Sequence, residues 1–355
     1  MRSRLRQWVM LGLGVIVLGL IVRNLSHSPE WRLFDWSRFL HMLAGARIRE
    51  LLLAVVCVYA TYLIRAYRWR CFLDPIKRAS MWILFVGQVL GFSSIFLIGR
   101  PGEFIRPAYI AKKENLPMSS MLAVWLLERI FDWFFLVALF AAAIYFEPLD
   151  PDTARGLSVL ATMHRGGHIM FALMAIVVVL LVGLRLRTGA LASGVVRVFR
   201  FLPARWLREL EHFVRSFGDG LEVIRNWRDF LASAGWTVLL WGVNTSIFWL
   251  VFRSLGGELK DLSWLAAGLT LFCAALGLII QFPGIGGGYQ VGAILALTAI
   301  FDVSVEAATS AGVLLWIIIS VPCLILALGL LVHEGLTIKK LAAMVEEERA
   351  AVGRE

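Results

Sequence analysis

The chain is predicted to be an all-α polytopic membrane protein with the character of an inverted-repeat transporter. It would have about six full spans and two oppositely oriented re-entrant helical hairpins. Three observations predict this. The 355 residues are 59% hydrophobic and only 17% charged, and the mean hydropathy is +0.78. A soluble domain averages about 45–50% apolar and about 25% charged. Apolar runs of membrane-spanning length recur along the chain. Two further apolar regions, 81–111 and 262–301, are each broken near the centre by a Gly/Pro-rich stretch.

In chain order, full spans are expected at about 8–22, 49–66, 118–146, 168–184, 231–252 and 308–332. Three arginines in Met1–Gln7 precede the first run. No small-x-small cleavage site follows, so that run is read as an uncleaved span. The segment 65–80 carries five basic residues and one acid, and 185–230 is rich in arginine from Arg185 to Arg228. Both are read as cytoplasmic, and 147–167, 253–261 and 302–307 as external. The loop 23–48 holds four arginines against two acids, and Leu33–Leu43 within it is read as an interfacial helix on the outer side. Both termini then fall on the cytoplasmic side of a cell membrane, plasma or inner.

A full crossing at 81–98 would place Arg100, Arg106, Lys112 and Lys113 outside and reverse the arginine-rich 185–230. Treating 81–111 as a hairpin that enters and leaves from the cytoplasm avoids both faults. The region 262–301 is its mirror, entering from outside and breaking at Gln281–Gln290. Irregular backbone at membrane depth needs protein or water around it. The order span, broken hairpin, span then occurs twice: 49–66, 81–111, 118–146 and 231–252, 262–301, 308–332. Paired breaks of this kind point to an inverted repeat with its site where the breaks meet.

Charges inside the third long run mark that site. Glu128, Arg129 and Asp132 lie in 118–146, beside a loop carrying Arg100, Glu103 and Arg106. An ion at the bilayer centre costs about 2.5–3.5 kcal/mol on insertion scales, so intramembrane charges need partners or a hydrated cavity. Glu128 and Asp132 share a helix face, and Arg129 can pair with Asp132. Arg106 has one carboxylate at helical pairing distance, Glu103. The residues leave two readings open. One is an ion-pair network that only fastens the helix to the hairpin. The other is a headgroup site in which Arg100, Arg106 or Arg129 binds phosphate and Glu103 or Asp132 orients it. The run Pro283, Gly284, Gly286 and Gly287 could present backbone N–H groups to an anion or simply allow close packing. Asn244, Gln281 and Gln290 could line the same cavity or join helices by hydrogen bonds.

The run Gly99-Arg100-Pro101-Gly102-Glu103-Phe104-Ile105-Arg106, then Glu128-Arg129-Ile130-Phe131-Asp132, then Pro283-Gly284-Ile285-Gly286-Gly287, resembles the transmembrane domain of lysylphosphatidylglycerol synthases and their flippase-like relatives. The resemblance covers about residues 5–335. It implies a lipid-translocating domain, with an anionic, polyprenyl-linked or hopanoid-type lipid as cargo. Bifunctional members carry a soluble synthase domain. Here about 20 residues follow the last span, so the expectation is no enzymatic activity. The chain is divided accordingly into a single transmembrane domain, 1–335, and a short charged cytoplasmic tail, 336–355.

Other chemistry is weakly signalled. Two alternatives are a lipid-modifying enzyme with Glu103 or Glu128 as general base, and a scaffold that recruits a lipid-synthesis enzyme through 185–230. No nucleophile or metal cluster accompanies the acids. His164 and His168 are four apart in an external loop, and His333-Glu334 has no second histidine behind it. There is no GxxxxGK[ST] phosphate loop and no CxxC pair among the four cysteines. The expectation is therefore no cofactor and no metal, membrane lipids as partners, no nucleic acid, and +10 net charge directed at anionic headgroups. Trp8, Trp69 and Trp82 are read as interfacial rings.

Overall fold

The computed structural model describes residues 34–147, 227–278, 281–282 and 286–335, with scattered helical positions between 165 and 179. The expected spans at 8–22 and 168–184, most of the basic segment 185–230, the tail 336–355, His164 and the pair Pro283 and Gly284 lie outside the described residues, apart from those scattered positions.

Nine α-helices are described. Helix α1 (Trp36–Ala44) is short and amphipathic, capped by Asp35, whose Oδ1 accepts from the Ser37 and Arg38 amides. It overlaps the helix read at 33–43. Helix α2 is Ile48–Leu73, α3 Met81–Ile98, α4 Ile105–Glu114 and α5 Met118–Phe146. A 3-10 turn, Arg100–Phe104, joins α3 to α4. Helix α6 is Trp227–Leu255, α7 Trp264–Gly277, α8 Gly288–Ile300 and α9 Val305–His333. Between α7 and α8, Gln281–Phe282 (β1) pairs antiparallel with Gly286–Gly287 (β2).

Helices α2, α5, α6 and α9 are long and apolar enough to cross a membrane. Their surfaces are inverted relative to a soluble protein. Ile317, Val321, Ile325, Leu328 and Val332 form an exposed stripe on α9, and Leu52, Leu53, Val56 and Leu63 are exposed on α2. Arg65, Arg68, Arg106, Glu128 and Asp132 are buried. Apolar outside and ionic inside is the arrangement a lipid solvent selects.

Both interrupted regions are antiparallel helical hairpins. A Cβ on Gly87 would meet Ile110, one on Gly91 would meet Arg106, and one on Gly102 would meet Ser94. A Cβ on Gly277 would meet the Gly288 carbonyl, and one on Gly292 the Cys273 carbonyl. In each set, one position rises as its neighbour falls. Glycine lets the arms touch backbone to backbone. Gly99 turns the first hairpin at φ 77°, a conformation open mainly to glycine.

The two halves are related by their contacts. Equivalent helices α2 and α6 pack closely along their lengths. The Arg47 amide donates to the Ser254 carbonyl, and Tyr67 stacks on Trp236. Those pairs require α2 and α6 to run antiparallel. Each hairpin's first arm packs on the other half's last long helix. Trp82 and the Val89 carbonyl of α3 reach Glu334 and Cys323 at and along α9. Glu147, Leu139 and Phe140 of α5 reach Ser263, Gly268 and Phe272 at and along α7. Helices at corresponding places in the two halves, α2 and α6, thus run in opposite senses.

The same contacts sort the termini into two ends of the bundle. Asp35, Arg47, Glu147, Ser254, Glu258, Ser263 and Ser304 gather at one end. Lys77, Ser80, Trp82, Lys113, Glu114 and Glu334 gather at the other. The α3–α4 hairpin therefore opens at one end and the α7–α8 hairpin at the opposite end.

Candidate functional site

The buried ionic cluster is built on α5. Its glutamate and aspartate one turn apart, Glu128 and Asp132, face the bundle axis and are 0% and 4% exposed. Arg68 of α2 lies between them. Its Nη2 donates to Glu128 Oε1, and its Nη1 donates to Asp132 Oδ1 at 2.5 Å. Arg106 of α4 donates to Glu128 Oε2 at 2.5 Å and to Gln88 Oε1 of α3 at 2.7 Å. Arg129 bridges outward, with nitrogens 3.4 Å from Glu103 and Glu128 and 3.3 Å from Asp132. Arg65 lies 3.8 Å from Glu128. Four guanidiniums thus surround one fully buried carboxylate.

Aromatic rings and α6 complete the shell. Arg106 stacks over Trp69 at 4.7 Å, and Arg65 over Phe92 at 4.4 Å. Trp241 Nε1 of α6 donates to Asp132 Oδ1 at 3.0 Å. The Thr237 hydroxyl accepts from Arg68 at 3.3 Å while donating to the Ser233 carbonyl. Rings and hydrogen bonds of this kind replace the water each ion gives up, a loss worth several kcal/mol per ion.

Several expectations change against this geometry. Arg129 does approach Asp132, as the i,i+3 spacing implies. Arg106, however, pairs with Glu128 across the hairpin–α5 interface, because α4 is packed against α5. At the hairpin turn Glu103 pairs with Arg129. Trp69 is not an interfacial ring: it is fully buried beneath Arg106. Trp82 is half-exposed at the bundle end. Gln290 Oε1 accepts from the Gly287 amide at 2.5 Å, capping α8. Asn244 Nδ2 donates to the Leu240 carbonyl within its own helix. Gly286 and Gly287 form strand β2, and Tyr289 beside them packs on Phe248 of α6. Arg100 opens the 3-10 turn. No group of three metal-ligating side chains occurs among the described residues.

Arg65, Arg68, Gln88, Thr237 and Trp241 were not legible as site residues. By sequence alone, Arg65 and Arg68 fall in the basic segment 65–80. Instead α2 continues to Leu73 and carries both arginines inside the bundle. A signal did exist. Tyr62, Arg65, Ala66, Trp69, Phe72 and Leu73 recur at helical spacing and are all buried. Positive charge within that pattern argued for an intramembrane face.

Comparison with known proteins agrees with a multi-pass membrane protein. The family described as the lysylphosphatidylglycerol synthase TM region matches residues 8–329. The chain belongs to that family. A curated relative, the glycosyltransferase AglD of Haloferax volcanii, is 23% identical over 323 residues, covering 84% of this chain and 51% of its own. The chain thus spans about half the length of the curated relative it matches. This relative overturns the expectation of no enzymatic activity. That expectation took one kind of appended domain, the lipid synthase, as the measure of activity in the lysylphosphatidylglycerol synthase TM family. A relative named a glycosyltransferase shows that the measure was too narrow.

Proposed function

We propose that this protein binds the headgroup of an anionic or polyprenyl- or hopanoid-type lipid at the ionic cluster and moves it between leaflets. The two hairpins enter the membrane from opposite sides, with the α3–α4 opening and both termini cytoplasmic. Rocking of one half against the other exposes the cluster to each leaflet in turn, while the acyl chains stay in lipid. The observation that carries this reading is the cluster itself: Arg65, Arg68, Arg106 and Arg129 around Glu128, in a bundle whose outer surface is apolar. Arg100, Glu103 and the glycine turn at 283–287 act as accessory headgroup contacts. The basic stretch 185–230 docks a lipid-synthesis enzyme.

A second reading is favoured by the relative's name: the domain serves transfer of a sugar to or from a lipid carrier. Both are tested in one reconstitution. Purified protein is placed in liposomes holding fluorescent acyl-labelled phosphatidylglycerol, and leaflet exchange is followed by an impermeant quencher. Exchange faster than in protein-free liposomes is expected. Exchange at the protein-free rate for anionic, polyprenyl-phosphate and hopanoid lipids alike would reject transport. A new glycolipid formed from an added sugar nucleotide would establish the second reading.

A further inference from the structure

We propose that Arg65, together with Gln88, binds the phosphate of a singly charged phosphodiester headgroup, and that Arg68 and Arg106 are structural. This inference rests on the lipid-handling reading and assigns its ligand contacts.

The first argument is charge. Among the described residues, the cluster holds four guanidiniums (Arg65, Arg68, Arg106, Arg129) and three carboxylates (Glu103, Glu128, Asp132). Over these ion-paired groups one positive charge is left over in a largely buried site. An uncompensated buried ion is costly, so a net +1 cluster selects a ligand that brings one negative charge.

The second argument locates the excess. Arg68 and Arg106 are each held by carboxylate oxygens at close hydrogen-bond distance, and their side chains are 0% and 3% exposed. Arg129 lies within 3.4 Å of all three carboxylates. Arg65 approaches only Glu128, at 3.8 Å, which exceeds hydrogen-bond reach. Its side chain keeps 11% exposure. It shares the Phe92 ring with Arg106, whose guanidinium is 5.7 Å from that centroid. Two like charges on one ring are stabilised by an anion between or beside them.

The third argument is independent of charge. Buried N–H groups without an acceptor gather around the cluster: Arg68 Nε, Arg129 Nε, Gln88 Nε2 and Trp69 Nε1. All are donors. A buried donor left unmade costs about 1–3 kcal/mol. Gln88 already holds Arg106 through its Oε1, which aims its Nε2 within the same cluster. Phosphate oxygens supply acceptors to such a set, and a guanidinium with one free edge binds them two at a time.

The test uses the full chain, purified in detergent, with tryptophan-to-dye energy transfer to acyl-labelled phosphatidylglycerol as the readout. Acyl-labelled diacylglycerol, which lacks the phosphate, is the control ligand. Arg65→Gln should weaken phosphatidylglycerol binding by at least roughly tenfold, the scale of one lost charge-assisted contact, and leave diacylglycerol unchanged. Arg65→Lys, which keeps the charge and loses the fork, should fall between. The lipid-free Tm of Arg65→Gln should equal or exceed that of the parent, because the excess charge is gone. Unchanged phosphatidylglycerol binding in Arg65→Gln would overturn the assignment. So would a lipid-free Tm that falls as far as that of Arg68→Ala, which marks a structural role. Free phosphate offers the same oxygens. Displacement of the labelled lipid by excess inorganic phosphate would overturn the lipid source, and failure to displace it supports the lipid. Binding that depends on Arg65 without leaflet exchange of any lipid would reject transport and leave this assignment standing. Exchange that persists at the parent rate in Arg65→Gln would do the reverse.

Discussion

Glu128 is the residue on which the cluster turns. Both of its oxygens are engaged, one by Arg68 and one by Arg106. Arg68 in turn holds Glu128 and Asp132 one helical turn apart on α5. Removing Arg68 strands part of that negative charge inside the bundle. Arg68→Ala is expected to lower stability by about 3–5 kcal/mol, the usual cost of breaking a buried pair from one side. Arg68→Met with Asp132→Leu should recover part of it, since the exchange removes one cation together with one anion and leaves Glu128 paired with Arg106 and Arg129. Thermal unfolding in detergent checks both. A wild-type Tm in Arg68→Ala would show that Arg68 carries none of the packing of α2 on α5.

The hairpins are the elements that glycine makes. In α7–α8 the arms cross so closely that a Cβ at Gly277 would lie 1.9 Å from the Gly288 carbonyl oxygen. Backbone cannot yield as a side chain can, so Gly277→Ala must part the arms. A loss of about 1–3 kcal/mol is expected, the range for overpacking a tight contact. Gly242 of α6 gives the contrast. A Cβ there meets nothing within 4 Å. Gly242→Ala should therefore stabilise by about 0.5–1 kcal/mol through helix propensity alone. Opposite Tm shifts from two chemically identical changes are the expected result. A shared sign would mean that helix propensity, not arm separation, governs the hairpin. The hairpin arms were readable from the Gly/Pro breaks, because glycine and proline interrupt a helix wherever they fall. The partner of Arg106 was not readable, because that pairing joins residues 22 apart on different helices.

Across the molecule, carboxylates tie elements distant in sequence at both ends of the bundle. At one end Glu334, just past α9, accepts from Lys113 Nζ at 2.9 Å, Trp82 Nε1 at 3.0 Å and the Tyr109 hydroxyl at 3.2 Å, all on the first hairpin. At the other end Glu258 accepts from Arg38 Nη2 at 2.7 Å and the Ser304 amide at 2.8 Å. The Lys113 hydrogen bond, then that from Trp82, holds the Glu334 carboxyl below its ordinary range. Burial would raise the Glu258 carboxyl, but the Ser304 and Arg38 contacts outweigh it and lower it. A carboxyl lowered in the folded state contributes stability that is full above its unfolded pKa, about 4.3 for glutamate, and is lost as pH falls through the folded value. The Tm difference between the parent and Glu334→Gln should therefore be full at neutral pH and shrink as pH falls below that unfolded value. A difference that grew on acidification would mean that the tie is not a carboxylate contact. On the transport proposed above, rocking would release these ties in alternation, so Glu334→Gln is also expected to change the rate of leaflet exchange.

The membrane class, the four long helices, the two broken hairpins and the doubled order of elements follow from hydropathy and from glycine and proline. Those properties act locally, on a chain read a turn at a time. The boundary of α5 coincides with its apolar run for the same reason. The ionic cluster did not follow in full, because its members come from α2, α4, α5 and α6 and meet only when those helices pack. Arg68 looks like a loop arginine in one dimension and becomes the centre of the bundle in three. The antiparallel course of α2 and α6 likewise arises from contact between helices more than 150 residues apart. Burial of charge is a property of neighbours, and the neighbours are chosen by the fold.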